Sequence, residues 1–354
     1  MTLSSTLYDH RPGLLERLAA GPVICAEGYV FELERRGYLQ AGAFVPEVVL
    51  AHPDRVTALH EEFVHAGSDV VQAFTYYAHR EKLRMVGKDD QSESLNRYAL
   101  ELARKVAVDT GTLLAGDICN TNVFDPADST THALVRGMFE EQVEWAADTG
   151  VDFVVGETFR YLDEALIALD VIRSAALPAV ITLNLHGVPE TREGIGLPEA
   201  MQRLADAGAD VVGLNCAWGP ATMLPLLEDL VNAVQVPVAA LPVPYRTDAE
   251  HPHFQALVDP GYSDFPAGRP FPTGLDPFTC NRYEIADFTR QAHEAGVQYL
   301  GLCCGAAPHH VRSMAEALGR RPPASRYSED MSRHVYFGSE PTLRRHNLEY
   351  GRRL

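Results

Sequence analysis

The chain has 354 residues, 46% hydrophobic and 22% charged, a balance typical of soluble globular proteins and long enough for two average domains or one large barrel. Its net charge of −18 disfavours nucleic acid and anionic membranes as partners. No stretch approaches the roughly 18 continuous apolar residues of a membrane span.

Six cysteines, at 25, 119, 216, 280, 303 and 304, are too few for a disulfide framework in a chain of this size. Residues 1–10 lack the basic start and apolar run of a secretory signal. Reduced thiols and the cytoplasm are therefore expected.

One phrase recurs along the chain. Gly67-Ser-Asp69, Gly150-Val-Asp152, Gly208-Ala-Asp210 and Gly296-Val-Gln298 each precede a short apolar run. Each reads as a helix end with a glycine cap, a polar turn residue and a strand. Continuous apolar strands of this length are buried on both faces, as in parallel sheets. The predicted strands are 23–27, 69–76, 113–118, 151–157, 179–185, 211–216, 237–242 and 299–304. Amphipathic helical stretches such as 54–66, 138–149, 197–207, 221–234, 282–295 and 308–318 lie between them. Eight alternating units predict an α/β fold of the (β/α)8 TIM-barrel type over 1–320, with a C-terminal extension at 321–354. A doubly wound sheet is the alternative, but no Gly-x-Gly-x-x-Gly follows the first strand. Segment 243–281, rich in Pro, Gly and aromatics, is expected to cover the mouth. The polar, Arg-rich extension is expected to be an oligomerisation arm or a loose tail.

In such a barrel the C-terminal strand ends face the active site. Those ends carry Glu27, Phe74 to Tyr77, Asp117, Glu157, Asn184, Asn215 with Cys216, and Cys303 with Cys304. Strands six and eight are not neighbours, yet their tips converge across a small mouth. Three thiolates from two tips can bind one Zn2+ and leave its fourth position open, the arrangement of a catalytic zinc. Free cysteines packed as small hydrophobes are the plainer reading, and it is the reading adopted for Cys25, Cys119 and Cys280. His251 and His253 mimic a hydrolase metal motif but fall in a Pro-rich loop. Trp218 is a pocket wall or a packing residue.

Val23-Ile-Cys-Ala-Glu-Gly28, Phe31-Glu-Leu-Glu-Arg-Arg-Gly-Tyr38, Phe74-Thr-Tyr-Tyr77, Gly213-Leu-Asn-Cys216 and Gly301-Leu-Cys-Cys-Gly305 together resemble the zinc-dependent homocysteine S-methyltransferase family. The similarity spans about residues 12–320. It implies an enzyme in which zinc on Cys216, Cys303 and Cys304 binds the homocysteine thiol, and a cationic onium donor gives it a methyl group to form methionine. It implies that Glu157 accepts the substrate ammonium. Relatives usually carry an Asp in the strand-one turn, aligned nearer Ala26; the role is assigned here to Glu27, with a backbone N–H of Gly28 offered to the substrate carboxylate. Tyr77 and Phe44, with Tyr76 as a further candidate, would wall an aromatic cage for the donor. Betaine-using relatives have a Trp where Phe44 stands and a second Tyr where Thr158 stands. The donor is thus left open among glycine betaine, other betaines, dimethylsulfoniopropionate, S-methylmethionine and S-adenosylmethionine. A homo-oligomer is expected. A zinc hydrolase would need His and carboxylate ligands at strand tips, and a non-catalytic zinc protein would need a fourth fixed ligand.

Overall fold

A computed structural model describes residues 11–261, 264 and 268–354. Eight parallel strands close into a barrel in chain order: β1 (Val23–Ala26), β2 (Val70–Gln72), β3 (Leu113–Cys119), β4 (Phe153–Phe159), β5 (Ala179–Leu183), β6 (Val211–Asn215), β7 (Val238–Leu241) and β8 (Tyr299–Leu302). β8 pairs with β1 through four residue pairs and closes the ring. The (β/α)8 expectation therefore holds, and no helix among the described residues is long and apolar enough to cross a membrane.

The repeated Gly-x-Asp phrase has a structural cause. Gly67, Gly150 and Gly208 sit at φ +116°, +78° and +96°, the left-handed turn that ends each helix. Two residues on, the aspartate reaches sideways to the start of the preceding strand. Asp69 accepts from the Ile24 N–H at 2.8 Å, Asp152 from Leu114 at 2.7 Å and Asp210 from Ala179 at 2.9 Å. Each carboxylate thus satisfies a backbone donor at the barrel's lower rim and sets the register of two strands. Arg320 closes one of these sites, donating to Asp69 at 2.5 Å and to the Pro22 carbonyl.

Two features depart from expectation. β2 ends at Gln72 rather than at 76: Ala73 still donates to Ala115 at 2.9 Å, but Thr75 N then turns back to Ala73 O and Tyr77 enters the left-handed region. The outer ring also contains helices at Ser92–Thr110 and Leu162–Ser174 that the pattern did not mark. The buried stripe of the first is built largely from alanine (Ala99, Ala103, Ala107), whose side chain gives a weak apolar signal. Beyond Ala317 the extension forms short turns at Pro323–Tyr327 and Met331–Arg333 and a helix at Arg345–Gly351.

Glycine lets strands crowd at two points below the mouth. A Cβ on Gly213 would lie 2.0 Å from the Ala239 carbonyl oxygen, and one on Gly301 would lie 2.2 Å from that of Cys25. Gly137, inside helix Ser129–Thr149, has open space around it. Gly213→Ala should therefore lower stability by about 3 kcal/mol or more, whereas Gly137→Ala should raise it by about 0.5–1 kcal/mol. Urea midpoints at constant m-value measure both; equal effects would contradict the close approach.

Candidate active site

Side chains alternate in and out along a strand. The inward set of this barrel starts apolar and ends polar. Its lower layers hold Val23, Cys25, Val70, Leu113, Ala115, Phe153, Val155, Val180, Val211, Ala239, Leu241 and Tyr299, with Leu14 and Leu18 of helix Leu14–Ala20 packed into the same cluster. One step further up the same faces come Glu27, Gln72, Asp117, Glu157 and Cys303, which line one cavity with Tyr29, Phe74, Tyr76 and Cys304. The site is the top layer of the barrel core, made polar.

The thiols converge because β7 holds both tips. Cys216 N donates to Leu241 O at 2.9 Å and Cys303 N donates to Pro242 O at 3.0 Å, so consecutive carbonyls leaving β7 fix β6 on one side and β8 on the other. Cys216 and Ala217 then take φ of +59° and +47°, a sharp turn rare for residues with a Cβ. The Sγ atoms of Cys216, Cys303 and Cys304 all lie within 4.8 Å of one another, with Cys303 and Cys304 3.9 Å apart. A tetrahedral ion with bonds of about 2.3 Å to sulfur needs sulfurs about 3.8 Å apart, so the three suit such an ion with little movement. Hydrogen bonding from Cys303 and Cys304 pulls the Cys216 thiol well below its ordinary range, while the same sharing pushes theirs up. One thiolate is thus already favoured among the three.

Beside the thiols lie three buried carboxyl groups. Glu157 accepts from Gln72 Nε2 at 3.0 Å and Asn215 Nδ2 at 2.7 Å. Asn215 also reaches Cys303 Sγ at 3.8 Å and accepts from Thr158 N at 3.0 Å, tying the carboxylate to the thiol centre. Both oxygens of Glu27 and both of Asp117 are buried with no hydrogen-bond partner among the described residues. Burial first, then the neighbouring Glu157 charge, raises Glu27 and Asp117 well above the carboxylate range. Burial and then Cys216 push Glu157 up to about 8. Unsatisfied buried carboxyls of this kind call for a ligand, and a cationic group is what three of them would hold.

The expected residues divide. Cys216, Cys303, Cys304, Glu27 and Glu157 come together, and Glu27, Glu157 and Cys303 place ligand atoms within 4.8 Å of one another. Gly28 opens helix Tyr29–Arg35 so close to Ala306 that a Cβ would lie 2.3 Å from its carbonyl oxygen. Phe44 and Tyr77 do not line the cavity. Phe44 packs on Phe31 at 5.7 Å between ring centroids, in a cluster that includes Phe254 and Phe271 of the long loop. Tyr77, at φ +59°, leans on Tyr76 and carries the Lys82 ammonium 4.3 Å from its ring centre. Tyr76 lines the cavity instead. Sequence reasoning gave no role to Asp117, Gln72 and Asn215. The period-two alternation that leads to Glu157 would have found all three. His253 stacks on His186 at 5.4 Å, and Cys25 lies in the barrel interior 3.5 Å from Gln72.

A closed barrel whose mouth joins a thiol triad to buried carboxyls has the arrangement of an enzyme active site. The homocysteine S-methyltransferase family model matches residues 24–318, and the chain belongs to that family. It is 34% identical over 352 residues to betaine–homocysteine S-methyltransferase 1 of Rattus norvegicus, covering 97% of this chain and 84% of that protein. It is 33% identical over 350 residues to S-methylmethionine–homocysteine S-methyltransferase of Mus musculus, covering 97% of this chain and 93% of that one. The metallated form of the homocysteine methyltransferase MmuM from Escherichia coli shares the fold, with a TM-score of 0.67 at 18% identity over 85% of this chain and 99% of that one.

The buried carboxyls make stability depend on pH. Glu157 ionises at its ordinary 4.5 in the unfolded chain but near 8 when folded. Between those values the folded state binds more protons, so this contribution is fully present below 4.5 and is lost as pH rises to 8. In metal-free, substrate-free protein, Glu157→Gln should flatten the fall of stability between pH 5 and 8 by about 1.4 kcal/mol per pH unit. Urea titrations across that range measure it; an unchanged slope would show that Glu157 ionises normally in the fold.

Proposed function

We propose that the chain transfers a methyl group from an onium donor to the thiol of homocysteine, giving methionine, at a zinc ion held by Cys216, Cys303 and Cys304. The observation that carries this reading is the approach of three thiols to ion-binding distance beside buried carboxyls that lack a cation. Zinc bound there supplies an open fourth position and the charge that keeps an incoming thiol deprotonated. The other parts of the reaction fall to the chain itself.

Glu157, held by Gln72 and Asn215, receives the ammonium of homocysteine, and Glu27 and Asp117 complete its surroundings. Glu157 then gives up its proton to solvent, because the ammonium beside it favours the charged carboxylate. The Asn215 amide joins Glu157 to Cys303, so amino group and sulfur are placed by one network. The sulfur attacks the donor methyl in line, the new S–CH3 bond forms, and the electron pair of the breaking bond leaves with a neutral amine or sulfide. No general base is required during transfer. The thiols and carboxyls gather negative charge, which draws in a positively charged donor, and the Tyr76 ring offers a face for it. Names of the relatives point to betaine or S-methylmethionine as the kind of donor.

Free thiols throughout support a reducing, cytoplasmic setting. The extension exposes the apolar side chains Tyr327, Met331, Phe337 and Leu354, which a second copy of the chain would cover.

Metal analysis and a methionine-forming assay test the reading together. One zinc per chain is expected, with metal and activity both lost in Cys216→Ala, Cys303→Ala and Cys304→Ala, and a thiol lacking the amino group should be a poor acceptor. Full zinc retention in any of the three variants would remove that residue from the centre, and equal methylation of the simpler thiol would remove the carboxyl cluster from acceptor binding.

A further inference from the structure

The interior of the mouth is acidic, yet one side of its rim is positive. Arg160 directly follows β4, three residues after Glu157. It lines a pocket with Asn120, Asn122, Tyr161, Glu164 and Arg192. Its guanidinium makes no hydrogen bond or ion pair among the described residues, and its Nε is buried without a partner. In a chain of net charge −18 an unmatched, half-buried arginine is unusual. Arg192 lies over the Tyr161 ring, 5.4 Å from its centre. The carboxyl in the pocket, Glu164, is directed at Thr121, accepting from its N–H at 2.8 Å and its hydroxyl at 2.6 Å. Two guanidinium groups therefore face one committed carboxyl, which leaves the pocket suited to an anion.

This pocket adjoins the strand end that carries Glu157: Asn120, which lines it, donates from its N–H to the Glu157 carbonyl at 3.2 Å and from Nδ2 to Thr158 Oγ1 at 2.8 Å. Tyr77 feels Arg160 and Asn122 around its hydroxyl, and the Lys82 ammonium caps its ring. A cation on that ring face leaves no place for an onium group there. The pocket itself offers an anion two positive charges, Arg160 and Arg192.

We propose that Arg160, with Arg192 beside it, seats the carboxylate of a zwitterionic methyl donor, and so selects onium carboxylates over onium compounds that lack the acid. This inference rests on the methyl-transfer reading above. It gives the mouth a division of labour between two zwitterions. The acidic interior takes the ammonium of the acceptor. The arginine rim takes the carboxylate of the donor, and the donor's cationic end points toward the thiols. Charge-assisted, bidentate hydrogen bonding to a planar guanidinium is the strongest form of carboxylate recognition available to a side chain.

The test compares Arg160→Gln, Arg160→Lys and the unaltered enzyme. With the best of glycine betaine, dimethylsulfoniopropionate and S-methylmethionine, Arg160→Gln should raise the donor KM about tenfold or more and leave the homocysteine KM within about twofold. Arg160→Lys should recover part of the loss. Trimethylsulfonium, which has no carboxylate, should be used equally by all three proteins. An unchanged donor KM, or a rise shared by trimethylsulfonium, would overturn the proposal. A second arm needs no turnover: calorimetric binding of 3,3-dimethylbutanoate, a carboxylate that cannot give a methyl group, should weaken about tenfold in Arg160→Gln. Absent binding to the unaltered protein, or equal binding to the variant, would also overturn it. Binding that depends on Arg160 in a protein that methylates no thiol would count against the proposed reaction and leave the anion site standing.

Discussion

Three thiols and three carboxyl groups share a space with almost no access to water, and that concentration of one kind of charge governs the rest of the site. In a medium of low dielectric, groups that ionise to the same sign oppose one another and hold their protons. Glu27, Asp117 and Glu157 are all displaced upward, by burial first and by these like charges second. Such a cluster is costly on its own and becomes favourable when cations join it. A divalent ion among the sulfurs and an ammonium among the carboxyls would each relieve it. Affinity for substrate is then built from energy that the free protein lacks, a form of preorganisation that a solvent-exposed cluster of the same residues would not provide.

The backbone has to hold such a cluster against its own repulsion. Tyr77, Thr158 and Cys216 all sit in the left-handed region, at φ +59°, +61° and +59°. For a β-branched residue such as Thr158 this is a genuine outlier, with a cost of about 1–3 kcal/mol. Each turn is pinned: Thr158 N by Asn215 Oδ1, Cys216 N by the Leu241 carbonyl, and Tyr77 N by Cys119 Sγ at 3.2 Å. The β4–β5 register shifts between Gly156 and Phe159, the same place where Glu157 and Thr158 turn toward the centre. Strain is concentrated where strand ends give way to the site, and the regular lower barrel bears it. Arg160 follows directly after this irregular stretch, so the element that presents the Glu157 carboxylate also presents the Arg160 guanidinium.

Much of this was legible in the chain. Gly-x-Asp, or Gly-x-Gln at the last, before an apolar run marked four strand starts, and the Gly-x-x-Cys and Gly-x-Cys-Cys runs marked two tips that meet across β7. Those signals are local and repeat, so no tertiary knowledge is needed to read them. What stayed hidden depends on direction. Whether Tyr76 or Tyr77 faces the cavity is decided by where β2 gives way to a turn, four residues earlier than its apolar run suggests. Phe44 packs on Phe31, which also receives Phe254 and Phe271 from the long loop, a cluster of distant segments. The free state of Arg160 could not be read either, since pairing is a property of neighbours in space.

The central claim is that three cysteine sulfurs hold a metal whose fourth position belongs to the substrate thiol. X-ray absorption at the zinc edge, recorded on the purified enzyme before and after adding homocysteine, measures this directly. Three sulfurs at about 2.3 Å with one lighter neighbour, becoming four sulfurs on addition of homocysteine, is the predicted result. Fewer than three sulfurs in the free enzyme, or a sulfur count that homocysteine leaves unchanged, would contradict it.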